Sequence, residues 1–553
     1  MTPEPREGGQ FVSVYDEVVH GNGRTRSVRR PVSPRARTDR EPENPENPEA
    51  PAASEAAEAP EDTAGLVVRR LCGLALNPAA PEDVLLRLLA SGPVEVRKAL
   101  CRDRRLPAAV VDAAASHPDW RARAAFAANP HVDVAERLRL VDDPDWRVRA
   151  HLADGPATPL GGTVDRLPDW AAARMITTYE NDCLADYRFP SRFSPEFRAS
   201  LLTHPEPKIR AYGAATSDWA ALFDGERAAL LDDPAEVVRA QALSTKGLYD
   251  FERDPARVEA DLPSHACHYR SHLLLYGALS RSVIASVLTA PARPDERSAI
   301  ARNPTLPADI VAQLAVHPDA VVRQHIALRA DVTLPQIEAL GKDPDPSVRL
   351  AASQHPALSE KERAAIDYEV SQDGPFRTAV TPAPPRDPGQ LRALAHSGHP
   401  LLRRRAAMAE HLPPDLVAGL LGDPDLGVRV LLAQHQPGVP PSLLLRCFLT
   451  YSGPGRACLL ERPGFPTYGL ARYANHPDPA VRALAARDPE LDARASDRLT
   501  RDADTEVREA GARHPNLPLS RLMELLDDKE LAHAAAANPA LPVAMMRQRA
   551  EAR

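Results

Sequence analysis

One signature recurs along almost the whole chain, and its 26-residue step leaves few folds open. It reads D-P-D-x-x-V-R-x-x-x-A-x-x-P-x-L-P, followed by an apolar stretch that ends at the next Asp-Pro. It is plain in HPDWRARAAFAANP (117–130), HPDAVVRQHIALRA (317–330), DPDPSVRLAASQHPAL (343–358) and HPDPAVRALAARDPEL (476–491). The arginine is the best ruler. Arg97, Arg123 and Arg149 keep the step, as do Arg297, Arg323 and Arg349, and Arg456, Arg482 and Arg508. Weaker rungs stand at Arg70, Arg174, Arg210, Arg239, Arg270, Arg377, Arg405 and Arg429, with His533 in the last slot. The count is about eighteen units. A unit this short cannot close a core alone, so neighbouring units must stack.

Each part of the motif has a physical reading. The Asp of D-P-D accepts the orphan N–H groups of a helix's first turn, and the fixed φ of Pro suits a first helical position. Val, Ala and Leu then recur at i, i+3 and i+4 and make one apolar stripe. The N-P or H-P pair ends the helix, because the residue before Pro avoids the α region. L-P followed by acids opens a second helix. The histidines before proline (His117, His204, His317, His355, His476, His514) read as turn residues. Hydrophobic residues make up 43% of the chain and aromatics only 5%, so Ala, Leu and Val must build the core. The 57 prolines are tolerable only at helix boundaries.

The pattern V-R-x-x-L-A-x-N-P-x-L-P with a following Leu-rich helix resembles the leucine-rich repeat variant family of bacterial proteins. The likeness spans residues 66–548. It implies an α-helix alternating with a 3₁₀ helix in a right-handed superhelix without strands. The residues alone would make both helices α. The expected fold is therefore all-α: a right-handed superhelical solenoid of α/α or α/3₁₀ repeats. Some members of that family carry a cysteine-rich iron–sulfur module before the repeats. The six cysteines here are scattered without a C-x-x-C, so the resemblance is not extended to a cluster. They read as reduced thiols of a cytoplasmic protein.

The ruler also divides the chain. Residues 1–63 hold 8 basic and 13 acidic residues and read as a disordered charged tail. Its stretch FVSVYDEVV (11–19) is a candidate docking peptide, for a partner or for the array itself. Residues 64–164 and 297–553 are regular repeats. Residues 165–296 are divergent, aromatic-rich units with insertions. No apolar run is long enough to span a membrane. Arg29 and Arg30 are followed by Pro, Arg and Glu rather than an apolar export segment.

The function expected is a non-catalytic, cofactor-free scaffold that binds a protein or peptide partner on its repeat surface. Net charge is −8, with −5 of it in the tail, so the repeats are nearly neutral. That disfavours a nucleic-acid cradle, the alternative in which a row of arginines meets phosphates. An acid stands four residues before the arginine in seven units, from Asp119–Arg123 to Asp504–Arg508. This order favours pairing within a helix, so each arginine is expected to hold its own repeat's capping acid and backbone. Trp120 and Trp146 share one repeat slot that other units fill with varied residues. With Arg121 and Arg147 they form a candidate partner-binding patch. Tyr187, Phe189 and Phe193 of the divergent region are further candidates, since insertions in repeat arrays often project from the binding face. His265, Cys267, His268 and His272 are a weak metal candidate, with His268 and His272 one helical turn apart. They would serve a less favoured metal-binding or enzymatic reading of the central insertions. No GxGxxG, phosphate-binding loop or nucleophile elbow occurs.

Overall fold

The computed structural model describes residues 60–157, 165–179, 188–289, 294–372, 376 and 383–551. The peptide 11–19, Tyr187 and Arg377 lie outside them. Among the described residues every regular element is helical. They fall into two compact units. Of the described residues, one unit holds those within 1–154, residue 188 and those within 474–553, and the other those within 155–184 and 189–473.

The motif makes its helices as its chemistry requires. Asp119 caps Trp120–Ala127 by accepting the Arg121 N–H at 2.9 Å. Asp345 caps Pro346–Ala352 through the Ser347 N–H, with Pro in the first turn. Asp478 does the same for Pro479–Ala485 through the Ala480 N–H. These first helices lie side by side in the stack: Val94–Arg102 against Trp120–Ala127, and that against Trp146–Asp154. Their stripes supply the core. Val96, Leu100, Val148 and Leu152 are fully buried in one unit, and Val322, Ile326, Val348 and Ala352 in the other.

Most second helices are α: Ala108–Ala115, Ala308–Leu314, Leu334–Leu340, Pro414–Leu420 and Leu519–Leu525. The regular α/3₁₀ alternation implied by the family resemblance is therefore not seen. Among the described residues the 3₁₀ turns are Leu138–Leu140, Trp219–Ala221, Ala457–Glu461 and Ala471–Tyr473. Segments of seven or eight residues have room to close i→i+4 bonds, whereas tighter turns suit three- to five-residue pieces.

The stack is pinned by a buried polar ladder. Asn129 ends its helix by accepting the His131 N–H, and its Nδ2 donates to the carbonyls of Cys101 and Arg104 in the preceding repeat. Asn303 reaches back to Leu274 and Gly277 in the same way. Other repeats meet the same carbonyl positions with Arg329 (to Ala301 and Asn303) and Gln436 (to Ala407 and Ala409). These carbonyls lie where a helix ends and has no further intrahelical donor. A buried acceptor left without a partner costs about 1–3 kcal/mol.

In the unit holding both termini, this ladder also joins the two ends of the array. Asn538 donates to Ala512 and His514, one repeat back. Asn77 makes the same pair of bonds, to the carbonyls of Ala536 and Asn538 at 2.9 and 2.6 Å. The helix Pro60–Leu76 thus packs on Ala532–Ala536 as though it followed it in sequence. Gly73 allows the approach, since a Cβ there would stand 2.1 Å from the His533 carbonyl oxygen. Arg547 with Asp83 and Arg87 with Glu551 pair the ends again at the surface.

The divergent units are stretched by real elements. Glu236–Glu252 is a 17-residue helix, twice the usual length. Phe189, Phe193, Phe197 and Tyr212 meet edge to face, with Phe189–Phe193 centroids 4.8 Å apart and Phe193–Phe197 5.2 Å apart.

Candidate functional site

The arginine rungs belong to the stack, though not as the sequence order implied. Arg123 donates through Nη1 to the carbonyls of His117 and Pro118 in its own turn. Its Nε and Nη2 grip both carboxylate oxygens of Asp143, the first Asp of the next repeat's D-P-D, at 2.6 and 3.0 Å. Arg323 grips Asp343, Arg210 grips Asp233 and Arg482 grips Asp502 in the same fork. The expected pairing with the acid four residues earlier is thus overturned for these rungs. That acid is occupied as the N-cap, while the guanidinium leans toward the following unit. Asp143 in turn accepts the Asp145 N–H, so one carboxylate shapes its own turn and binds its neighbour. The Arg323 fork, more than burial, sets the charge of Asp343, holding its carboxyl below the ordinary range.

A single substitution changes this geometry. Where His replaces the first Asp, its Nδ1 accepts the same i+2 N–H, as His117 does from Asp119 and His317 from Asp319. The preceding arginine then reaches the capping acid instead: Arg97 to Asp119 at 2.9 Å and Arg297 to Asp319 at 2.7 Å. The contact is end-on, and Arg97 Nε is left without a hydrogen bond. The rung expected at Arg405 is held by Arg403, which donates to Ser397 and Gly398 and forks onto Asp423. Three consecutive arginines hid it, and only the one four residues after the N-cap His399 has the reach. Arg405 donates to the Ala383 carbonyl.

Trp120 and Trp146 differ in their surroundings. The Trp120 ring is half-buried between two guanidiniums, Arg147 at 3.7 Å from its centroid and Arg121 at 4.9 Å. Arg147 is itself fixed by Asp145, which takes its Nε and Nη2 at 3.0 and 2.7 Å. That guanidinium holds the Asp145 carboxyl below its usual range. Trp146 is 50% exposed. The structure therefore brings Trp120, Arg121 and Arg147 into contact at the surface, with the exposed Trp146 next to Arg147 in the chain. It puts Phe189 and Phe193 elsewhere: they are 0% and 1% exposed, so they fill a core and cannot form a contact face. A repeat whose small residues have been replaced packs itself with rings.

The weak metal candidate disperses. Cys267 caps His268–Tyr276 by accepting the Arg270 N–H, and His272 pairs with Glu252 at 2.9 Å. Among the described residues no three His, Cys, Asp or Glu side chains converge as a metal site would need.

Two further features carried no motif in the sequence. Ser353 Oγ lies 2.8 Å from Nε2 of the buried His399, which resembles a nucleophile and its base. His399 Nδ1 accepts the Leu401 N–H, so Nε2 carries the proton and donates it. Ser353 donates its own O–H to the Leu350 carbonyl. A base needs a free lone pair facing the hydroxyl, and this histidine has none. The second site is a cleft of about 390 Å³ beside Trp170, an exposed ring that carried no motif.

The fold and these surfaces define an all-helical repeat protein whose recurring charged side chains bind repeat to repeat. No protein-family model matches the chain, and no curated protein matches it. Solved structures that it matches include an engineered protein of the Northeast Structural Genomics Consortium, at 15% identity over 88% of this chain and 99% of that one, with a TM-score of 0.14. Another comes from work on tubulin recruitment and assembly by microtubule polymerases with tumor overexpressed gene (TOG) domain arrays. It is 10% identical over 89% of this chain and 97% of that one, with a TM-score of 0.15. Scores this low carry nothing about function. No described helix is long and apolar enough to cross a membrane.

Proposed function

We propose that the chain is a non-catalytic protein-interaction scaffold, a solenoid of the leucine-rich repeat variant type that binds a partner protein or peptide on its repeat surface. The observation that carries this reading is Trp146. It is a half-exposed tryptophan in a slot that other repeats fill with Ala320, Pro346 or Thr505, so the scaffold does not need it. Beside it Trp120 is clamped between Arg121 and Arg147, which gives an aromatic and guanidinium surface of limited freedom. Tryptophan and arginine are the side chains richest in binding hot spots, and an ordered patch loses little entropy on association. The rungs with bidentate carboxylate partners are spoken for, which weighs against a phosphate-binding row. Both the cytoplasmic setting and the family belong to this reading.

The test is affinity capture from the native host with cross-linking, comparing wild type with Trp146→Ala. The expected result is one protein retained by wild type and lost by the variant, with unchanged thermal melting. Equal retention by both would overturn the role of the patch.

A further inference from the structure

A different site, in the unit Gly155–Leu184 with Phe189–Tyr473, has the chemistry of a cation-binding cleft. It is lined by Asp169, Trp170 and Ala173 from the helix Asp169–Thr178, by Glu196 and Phe197 from the helix Pro195–Ser200, and by His204. Trp170 is 58% exposed, while Phe197 forms a buried floor. His204 packs edge-on to Phe197 at 5.9 Å and accepts the Glu206 N–H through Nδ1, which fixes the ring in place.

The two carboxylates differ from the acids of the repeat motif. Those are committed: Asp143, Asp233 and Asp343 to arginine forks, Asp119 and Asp345 to helix caps. Asp169 and Glu196 are exposed, and neither carboxylate has a hydrogen-bond or ion-pair partner among the described residues. The nearby Arg198 does not neutralise them, since it donates to the carbonyls of Pro190 and Ser191. The cleft therefore offers an indole face and two unspent negative charges over an apolar floor.

We propose that this cleft binds an arginine side chain presented by a peptide segment of a partner protein. A guanidinium is the cation that fits all three features. Its plane stacks on an indole, its fork of N–H donors meets carboxylates, and its weak hydration makes it cheap to bring against an apolar floor. A bare ammonium or metal ion would meet the carboxylates and leave the indole unused. The site is separate from the Trp120–Trp146 patch and goes beyond that reading.

The test is calorimetric titration of the full chain with an acetylated, amidated peptide carrying two arginines, against the same peptide with citrulline, which keeps the shape and removes the charge. Wild type should bind the arginine peptide roughly five- to tenfold more tightly than the citrulline peptide. Trp170→Ala and the pair Asp169→Asn with Glu196→Gln should each lose a similar factor, while Val316→Ala, a change at an exposed side chain of another repeat, binds as wild type. All three target side chains are exposed, and unchanged circular dichroism melts would show that folding is intact. Binding indifferent to citrulline, to Trp170→Ala or to the charge-neutral pair would overturn the proposal. So would free arginine matching the peptide, which would make the ligand a small molecule rather than a segment of protein.

Discussion

His399 shows what a repeat does with a titratable group. It stands in the N-cap slot that Asp fills in most units, is fully buried, and stacks on Tyr368 at 4.3 Å. Both ring nitrogens are used, Nδ1 as acceptor and Nε2 as donor, so only the neutral ring fits. Burial, with Arg363 as the next cause, pushes its pKa down from 6.5 to about 4. Burial likewise lowers His317, His325 and His355. As pH falls from 6.5 towards 4 the unfolded chain takes up protons that the folded one refuses. Stability is fully present above pH 6.5 and is lost through that window, before most carboxylates titrate. His399 alone contributes about 3 kcal/mol of that loss. Urea unfolding at pH 7.0 and 4.5 should show it, and His399→Asn, which keeps the cap acceptor, should flatten the slope. An unchanged slope would mean that this ring titrates normally. The sequence placed the pre-proline histidines at turns correctly. It could not show which were buried, because burial is decided by the neighbouring repeat.

At the scale of the element, the arginine rung separates what sequence shows from what packing decides. Helix starts, capping acids and the apolar stripe were legible, because each follows from local geometry with a fixed offset. The direction of the guanidinium was not. Asp119–Arg123 obeys a sound helix rule, yet Asp119 is spent on the N-cap and Asp143 offers two oxygens in the right plane. A double-mutant cycle settles the choice. Arg123→Ala with Asp143→Ala should show about 1–2 kcal/mol of coupling, because the pair is bidentate and largely buried. Arg123→Ala with Asp119→Ala should be additive within about 0.5 kcal/mol. The reverse ranking would restore the within-helix pairing. The aromatic candidates divide for the same reason. Trp120 and Trp146 stand out in the sequence because two adjacent units break the slot's pattern together. Phe189 and Phe193 were misread because a degenerate repeat and a binding insertion have the same composition. The Trp170 cleft left no trace, since its acids are 27 residues apart and become neighbours only through stacking.

At the scale of the whole molecule, the sequence conveyed a continuous array but not how its ends are treated. A stacked array usually needs polar capping repeats, since each terminal repeat lacks a neighbour on one side. In the unit holding both termini, the first and last repeats are that neighbour for each other, through Asn77 and the carbonyls of Ala536 and Asn538. Asn77→Ala should therefore cost about 2 kcal/mol, as loss of a buried internal Asn would, rather than the near-zero effect of a change at a frayed end. Hydrogen exchange of residues 66–76 and 531–537 should accelerate together in that variant; acceleration of one segment alone would refute the coupling. The junction also bears on how such a chain can evolve. An open array tolerates duplication or loss of a terminal repeat, because only one interface changes hands. Here an extra repeat after Asn538 would separate Asn77 from its acceptors and force Gly73 off the His533 carbonyl. Within this unit the junction thus has no room for another repeat between Asn538 and Asn77, and variation there is channelled into substitutions and insertions within repeats.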